Sequence, residues 1–293
     1  MKTGLIMEGG ALRALFSAGV IDVMMNHHLK FDGLIGVSAG AAFGCNYKSN
    51  QAGRAIRYNK RFAHDTRYCS VRTLLKTGDI FGGEFCYHTL PEQLDIFDQD
   101  TFETNPMEFV VVCTDVETGQ AVYKRIDKCG HDAYEWIRAS ASMPLVSKIV
   151  EVEGCKLLDG GIADSIPLAY FQQQGYRRNV VVLTQPEGYV KQPNSLMPLM
   201  RLSLQRYPKM VKAIADRHIM YNREVEYVKE EELKGDTLVI RPKKKLPINH
   251  LSHDEAKMEA CYQAGREVTL NMFDELKPKS VIRISQCCMA VRN

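Results

Sequence analysis

A chain of 293 residues with 45% hydrophobic and 25% charged side chains has ample material for a core, which excludes wholesale disorder. Its net charge of +3 is too small to imply a nucleic-acid partner. Nine cysteines occur without a C-x-x-C pair, and an odd number cannot all pair, so they read as reduced thiols of a cytoplasmic protein. A disulfide between the adjacent Cys287 and Cys288 would be strained. Glu8 stops the first apolar run far short of a signal peptide, and no stretch has the length of a membrane span.

In chain order, Thr3 to Met7 reads as a buried strand ending at a glycine loop. Leu12, Leu15, Phe16, Gly19, Val20, Val23 and Met24 then form the stripe of an amphipathic helix that ends near His27. Phe31 to Val37 is a second strand, and Ser38 opens a second helix. The polar, basic stretch from Asn46 to Arg72 reads as helix and surface. Residues 73–107 carry loop glycines and a short helix over Pro91 to Leu94, and could cap an acyl pocket. Phe109 to Asp115 and Gln120 to Ile126 are strands joined at Thr118-Gly119. Asp132 to Ala141 is helical. Lys148 to Val152 and Lys156 to Leu158 form a hairpin around Glu153-Gly154, with Asp159-Gly160-Gly161 at its end. Pro167 to Gln174 is a helix stopped by Gly175, and Val180 to Leu183 is a strand.

Beyond Pro198, the residues Tyr207, Val211, Ile214, His218, Tyr221, Val225 and Val228 form one narrow apolar seam. A coiled coil has this spacing, but in a compact chain the pattern predicts a helix packed on the body. Thr237 to Ile240 is a last strand. Ser252 and Glu255 make a capping box for a final helix through Met258, Cys261, Gly265, Val268 and Met272. Strands alternating with helices predict an α/β layered fold with a mainly parallel sheet. With no composition break, 1–293 reads as a single domain.

The chemistry concentrates in three places. Gly36-Val37-Ser38-Ala39-Gly40 is a G-x-S-x-G elbow, which stands a serine on a strained strand-to-helix turn at a helix N-terminus. Glu8 to Ala14 offers a glycine loop whose backbone N–H groups suit an oxyanion. A serine needs a base, and Asp159, ahead of two glycines, is the candidate; burial would raise its pKa and improve it. Asp159 could equally be a turn aspartate, and the companion loops favour the base. Gly9-Gly10 fails the G-x-G-x-x-G dinucleotide pattern, since Ala11 and Ala14 stand where glycines belong. His250 and His253 fit a Ser, Asp, His order, but nothing around them resembles a catalytic loop. His218 on the seam reads as a core histidine. No His/Cys/Asp cluster has metal-ligand spacing, so no metal or other cofactor is expected. The run Arg241 to Lys245 reads as a solvated face, with anionic lipid head groups as the alternative.

Gly9-Gly10-Ala11-Leu12-Arg13-Ala14, Gly36-Val37-Ser38-Ala39-Gly40 and Asp159-Gly160-Gly161 together resemble the three motifs of the bacterial patatin-like phospholipases. Ala139 to Pro144 and Asp164 to Pro167 look like that family's flanking signatures. The resemblance is specific over about residues 3–185; the extension over about 196–293 is less diagnostic. It implies a three-layer α/β/α sandwich and a Ser–Asp dyad without histidine. Ser38 would be the nucleophile and Asp159 the base. Gly9, Gly10 and Ala11 would supply the oxyanion hole, and Arg13 would hold the loop or meet a substrate phosphate. Gly36, Gly40, Gly160 and Gly161 would support the two turns. The expected activity is hydrolysis of fatty-acyl esters of phospholipids or lysophospholipids, by a cytoplasmic enzyme that meets membranes peripherally. A short-chain carboxylesterase and a lipid-binding protein with weakened turnover are the alternatives. The second is motivated by Ala11 and Ala14, which replace family glycines; a positive φ at Ala11 would cost about 1–2 kcal/mol.

Overall fold

Alternation along the buried strands builds a core on each face of a single sheet. The computed structural model describes residues 1–249 and 251–276, so His250, Cys287 and Cys288 lie outside the described residues. The strands are β1 (Lys2–Met7), β2 (Gly33–Val37), β3 (Glu108–Asp115), β4 (Ala121–Arg125), β5 (Val150–Val152), β6 (Cys155–Asp159), β7 (Tyr176–Val182) and β8 (Thr237–Ile240). Their order is β5-β6-β3-β2-β1-β7-β8, with β4 also on β3. The five central and right-hand strands, β3-β2-β1-β7-β8, are parallel; β4, β5 and β6 form the antiparallel end.

The helices are α1 (Leu15–Asn26), α2 (Ala39–Lys48), α3 (Arg54–Arg61), α4 (Val71–Thr77), α5 (Gln99–Thr104), α6 (His131–Ser140), α7 (Leu168–Gln173), α8 (Met197–Ser203), α9 (Pro208–Lys234) and α10 (Glu255–Leu276). Leu5, Met7, Leu34, Val111 and Val182 point to one face, against α1, α2, α6 and α10. Their neighbours Ile6, Ile35, Val37, Val112 and Val181 point to the other, against α7 and α9. The result is the expected three-layer α/β/α arrangement with a mainly parallel sheet. The seam on α9 does pack on the body, through Met210, Ile214, Tyr221 and Val228.

Three expectations need correction. The stripe on α1 is not the edge of an amphipathic helix: every residue from Leu15 to Met25 is buried, because α10 covers the side away from the sheet. The segment from Asn46 onward is not mainly surface, since Asn46, Lys48, Arg54 and Asn59 are buried, and Arg54 donates to Asn46 Oδ1 across the α2–α3 turn at 3.0 Å. The final helix is capped by Asp254, whose Oδ1 accepts from the Lys257 N–H at 3.1 Å; the Ser252 hydroxyl instead accepts from the Asp254 N–H. Lys243, Lys244 and Lys245 are exposed as expected, but Arg241 is tied to Glu232.

Two glycines permit the close approach of α1 and α10. A Cβ on Gly19 would stand 2.1 Å from Tyr262 O, and one on Gly265 would stand 2.0 Å from Phe16 O. In an open helix, Gly→Ala gains about 1 kcal/mol. Here Gly265→Ala is expected to lose about 1–3 kcal/mol through overpacking, read as a lower denaturant midpoint in urea unfolding.

Candidate active site

Strand β3 brings Ser38 and Asp159 together from distant positions in the sequence. β4 occupies one edge of β3 over Val110–Thr114. β2 occupies the other edge as far as the Val37–Val112 pair, and there it stops. β6 then takes that same edge from the opposite direction, pairing Asp159 with Cys113. Asp159 therefore fills the place that a continuing β2 would have given to Ser38.

Ser38 turns sharply instead, at φ 55° and ψ −127°, into α2. Such a conformation is strained for a residue with a side chain. The elbow fits because its flanking residues are glycines. A Cβ on Gly36 would meet the Ala41 backbone at 2.6 Å, and one on Gly40 would meet Met7 O at 2.3 Å. The Ser38 N–H donates to Ser140 Oγ at 2.8 Å, and that hydroxyl donates to Val112 O at 2.6 Å. The Asp159 N–H donates to Ser142 O at 2.8 Å. The Ala139–Pro144 segment, legible in the sequence only as a flanking signature, thus clamps both residues.

Asp159 is 1% exposed, and the Ser38 side chain lies close enough to its carboxylate to act on its pKa. Burial raises the Asp159 pKa above the usual carboxylate value. The Arg217 charge, the nearby Ser38 hydroxyl and the Gly161 N–H, 2.8 Å from Oδ1, oppose that rise. Gly160 has no room for a side chain, because its Cβ would lie 2.1 Å from Val112 O.

The glycine loop lies directly against the elbow. A Cβ on Gly9 would stand 2.8 Å from Ser38 Cβ. Gly9 O accepts from the Thr184 hydroxyl at 2.8 Å, and Gly10 O accepts from the Arg13 N–H at 3.1 Å. Ala11 does adopt the left-handed region, at φ 48°. The alanine therefore takes the strained shape rather than relaxing it, at a cost of about 1–2 kcal/mol. Ala14 sits buried where the short 3₁₀ turn Ala11–Ala14 runs into α1.

Sequence reasoning missed Glu8 and the polar face of α9. Glu8 is 5% exposed. Its carboxylate accepts from the Thr184 N–H at 2.6 Å and from the Tyr221 hydroxyl at 2.8 Å, and burial raises its pKa. On α9, Arg217, Tyr221 and Glu224 share one helical face. Arg217 Nε donates to Gly161 O at 2.5 Å, and Glu224 accepts from the N–H groups of Ser165 and Ile166. An apolar seam is read from spacing, and polar residues beside it carry no such signal.

Glu8, Gly9, Gly10, Ala11, Ser38, Asp159, Arg217 and Tyr221 line one cavity of about 760 Å³. Its lining carries the charged groups Arg13, Lys191 and Arg217, which act on Glu8 or Asp159, and a larger apolar part with Tyr58, Phe81, Leu90, Phe97, Phe102 and Ile137. The stretch 73–107 supplies part of this wall through a π-helix, Phe85–Leu94, with Pro91 inside it. His218 lines the cavity and is not a core histidine. His253 is not among the lining residues, and its Nδ1 contacts Ala63 O. Among the described residues, no cluster of three or more His, Cys, Asp or Glu could hold a metal, and no helix is long and apolar enough to cross a membrane.

The family model described as patatin-like phospholipase matches residues 5–171, and the chain belongs to that family. A domain of unknown function (DUF6363) matches residues 207–278, which include all of α9. The chain is 27% identical over 228 residues to the uncharacterized protein YjjU of Escherichia coli, covering 69% of this chain and 60% of that one. An NTE family protein of Mycobacterium tuberculosis is 30% identical over 57% of this chain and 45% of its own length. The lysophospholipase NTE1 of Scheffersomyces stipitis is 26% identical over 61% of this chain and 11% of its own. Each match thus covers less than two thirds of the relative.

Proposed function

We propose that the protein is a serine acyl hydrolase that cleaves fatty-acyl esters of phospholipids or lysophospholipids. The observation that carries this reading is the strained Ser38 set beside a buried Asp159 by the sheet register, both lining a largely apolar cavity. Asp159 takes the Ser38 proton as Oγ attacks the ester carbonyl. Concerted transfer avoids a free alkoxide, and the raised pKa narrows the mismatch between carboxylate and hydroxyl. Backbone N–H groups of Gly9, Gly10 and Ala11 receive the tetrahedral oxyanion, helped by the N-terminal end of α2. Proton return from Asp159 releases the alcohol and leaves an acyl-Ser38. Water, deprotonated by the same carboxylate, then frees the fatty acid and restores the serine.

The lysophospholipase name of the fungal relative and the family membership support a lipid ester as substrate. The volume and largely apolar lining of the cavity favour a long acyl chain over the short chain of a general carboxylesterase. A fluorophosphonate probe tests the reading, because it reacts readily only with an activated serine. Mass spectrometry is expected to place the label on Ser38. An unlabelled, folded protein would overturn the hydrolase and leave a lipid-binding role.

A further inference from the structure

We propose that Lys191 and Arg217 form a subsite for the phosphate of a glycerophospholipid head group, and that the region matched by the domain of unknown function is there to help build it. The inference rests on the hydrolase reading for its acyl ester, but the subsite itself is argued from charge and geometry.

The cavity holds several cations, and they fall into two groups. At the apolar end, each has a carboxylate partner: Arg54 meets Asp95 at 3.2 Å, and Arg138 meets Asp79 at 3.1 Å and Glu135 at 2.7 Å. Each of these cations is thus already engaged by a carboxylate. At the Ser38 end, Lys191 and Arg217 line the wall. Among the described residues, neither is in an ion pair within 4.0 Å. Glu8 and Asp159 lie near enough to act on the Lys191 charge, but each already accepts hydrogen bonds from other donors.

Both cations are held in place. The Lys191 backbone is clamped to α9 by Asn222, whose side chain accepts from the Lys191 N–H at 2.8 Å and donates to its carbonyl at 3.0 Å. Its ammonium lies 4.5 Å over the Tyr221 ring. Arg217 is fixed by its Nε hydrogen bond to Gly161 O. Two placed, partly desolvated cations beside an apolar cavity suit a compact anion, and a phosphate fits best because several oxygens can be shared between them. Burial and the neighbouring arginines press the Lys191 pKa down to about 8; a bound anion would favour the charged form. A glycerophospholipid carries its phosphate only a few bonds from the ester that Ser38 would attack. The phosphate at this end and the acyl chain at the apolar end would then orient the ester across Ser38. Tyr221, Asn222 and Arg217 all belong to α9, so the subsite gives that region a direct part in recognition.

Two measurements test this. The first compares kcat/KM on a monoacyl glycerophosphate with that on the monoacylglycerol of the same chain, for the wild type and Lys191→Met. The wild type is expected to prefer the phosphate ester at least tenfold. Lys191→Met is expected to lose about that factor on the phosphate ester and less than twofold on the neutral one. Equal losses on both would mean that Lys191 only balances the buried carboxylates, and would overturn the subsite. The second is calorimetric binding of glycerol 1-phosphate and of inorganic phosphate to Ser38→Ala, with and without Lys191→Met. Binding of glycerol 1-phosphate that Lys191→Met weakens tenfold supports a head-group site. Equally tight inorganic phosphate would make it a site for the free anion. Absence of any binding overturns it. If neither ester is hydrolysed but glycerol 1-phosphate binds through Lys191, the hydrolase reading falls and the subsite stands.

Discussion

Ser38→Ala is expected to reduce hydrolysis of a lysophospholipid to background, a loss of about 10⁶-fold in kcat if the serine is the nucleophile. The substitution removes one oxygen and leaves the elbow intact. Alanine at φ 55° suffers the same backbone strain as serine, the Ser38 N–H still reaches Ser140, and Gly36 and Gly40 still clear the turn. The melting temperature should therefore stay close to that of the wild type. The measurement is turnover under single-enzyme control, with circular dichroism on the same sample. Activity within tenfold of the wild type would mean that another group makes the attack.

Asp159→Asn carries the second large effect, in two quantities of opposite sign. Activity should fall by about 10²–10⁴-fold, the usual contribution of a placed general base. Asparagine keeps an oxygen for the Gly161 N–H but takes no proton from Ser38. Stability should rise. The native carboxylate has its pKa raised by burial, so across the window above the ordinary value of about 4 the folded state holds a proton that the unfolded state has lost. Stability in the wild type thus falls as pH rises through that window, and the deficit persists above it. Asparagine has no such deficit, so the variant should melt higher at pH 8, with the difference closing below about pH 4. Wild-type kcat/KM should fall on acidification through the same raised pKa. A variant that melts lower at pH 8 would mean that the carboxylate is stabilising, against the argument from burial. His218→Gln, which removes the cavity's other candidate base, should retain activity.

Much of the architecture was readable because it is periodic. The runs Thr3–Met7, Phe109–Asp115 and Val180–Leu183 are too apolar to be anything but buried strands, and all became central ones. The helix carried by Ile214, Tyr221 and Val228 was equally plain. What escaped was whatever depends on a partner far along the chain. Leu12 to Met24 looks amphipathic from its own spacing; only α10, some 240 residues away, buries its other side. Arg54 and Asn59 are surface residues by type, and Asp95 and Tyr68 bring them inside. The π-helix over Phe85–Leu94 has no periodic signature, since Pro91 interrupts it. At the site, the glycines of the two turns were legible from their spacing. Glu8, Lys191 and Arg217 were not, because a charged residue is ordinarily solvated and nothing local marks one that is enclosed.

The abutment of β2 and β6 on one edge of β3 has a consequence for how the site is assembled. Ser38 and Asp159 are separated by a long stretch of chain, yet their spacing is set by hydrogen-bond register with Val112 and Cys113. A slip that moved Asp159 into the place of Gly160 would drive a side chain onto Val112 O. The sheet therefore checks the pair as it closes. Chains that have completed it have also brought Ser38 beside Asp159. In a refolding experiment, recovery of serine reactivity should keep pace with recovery of the sheet.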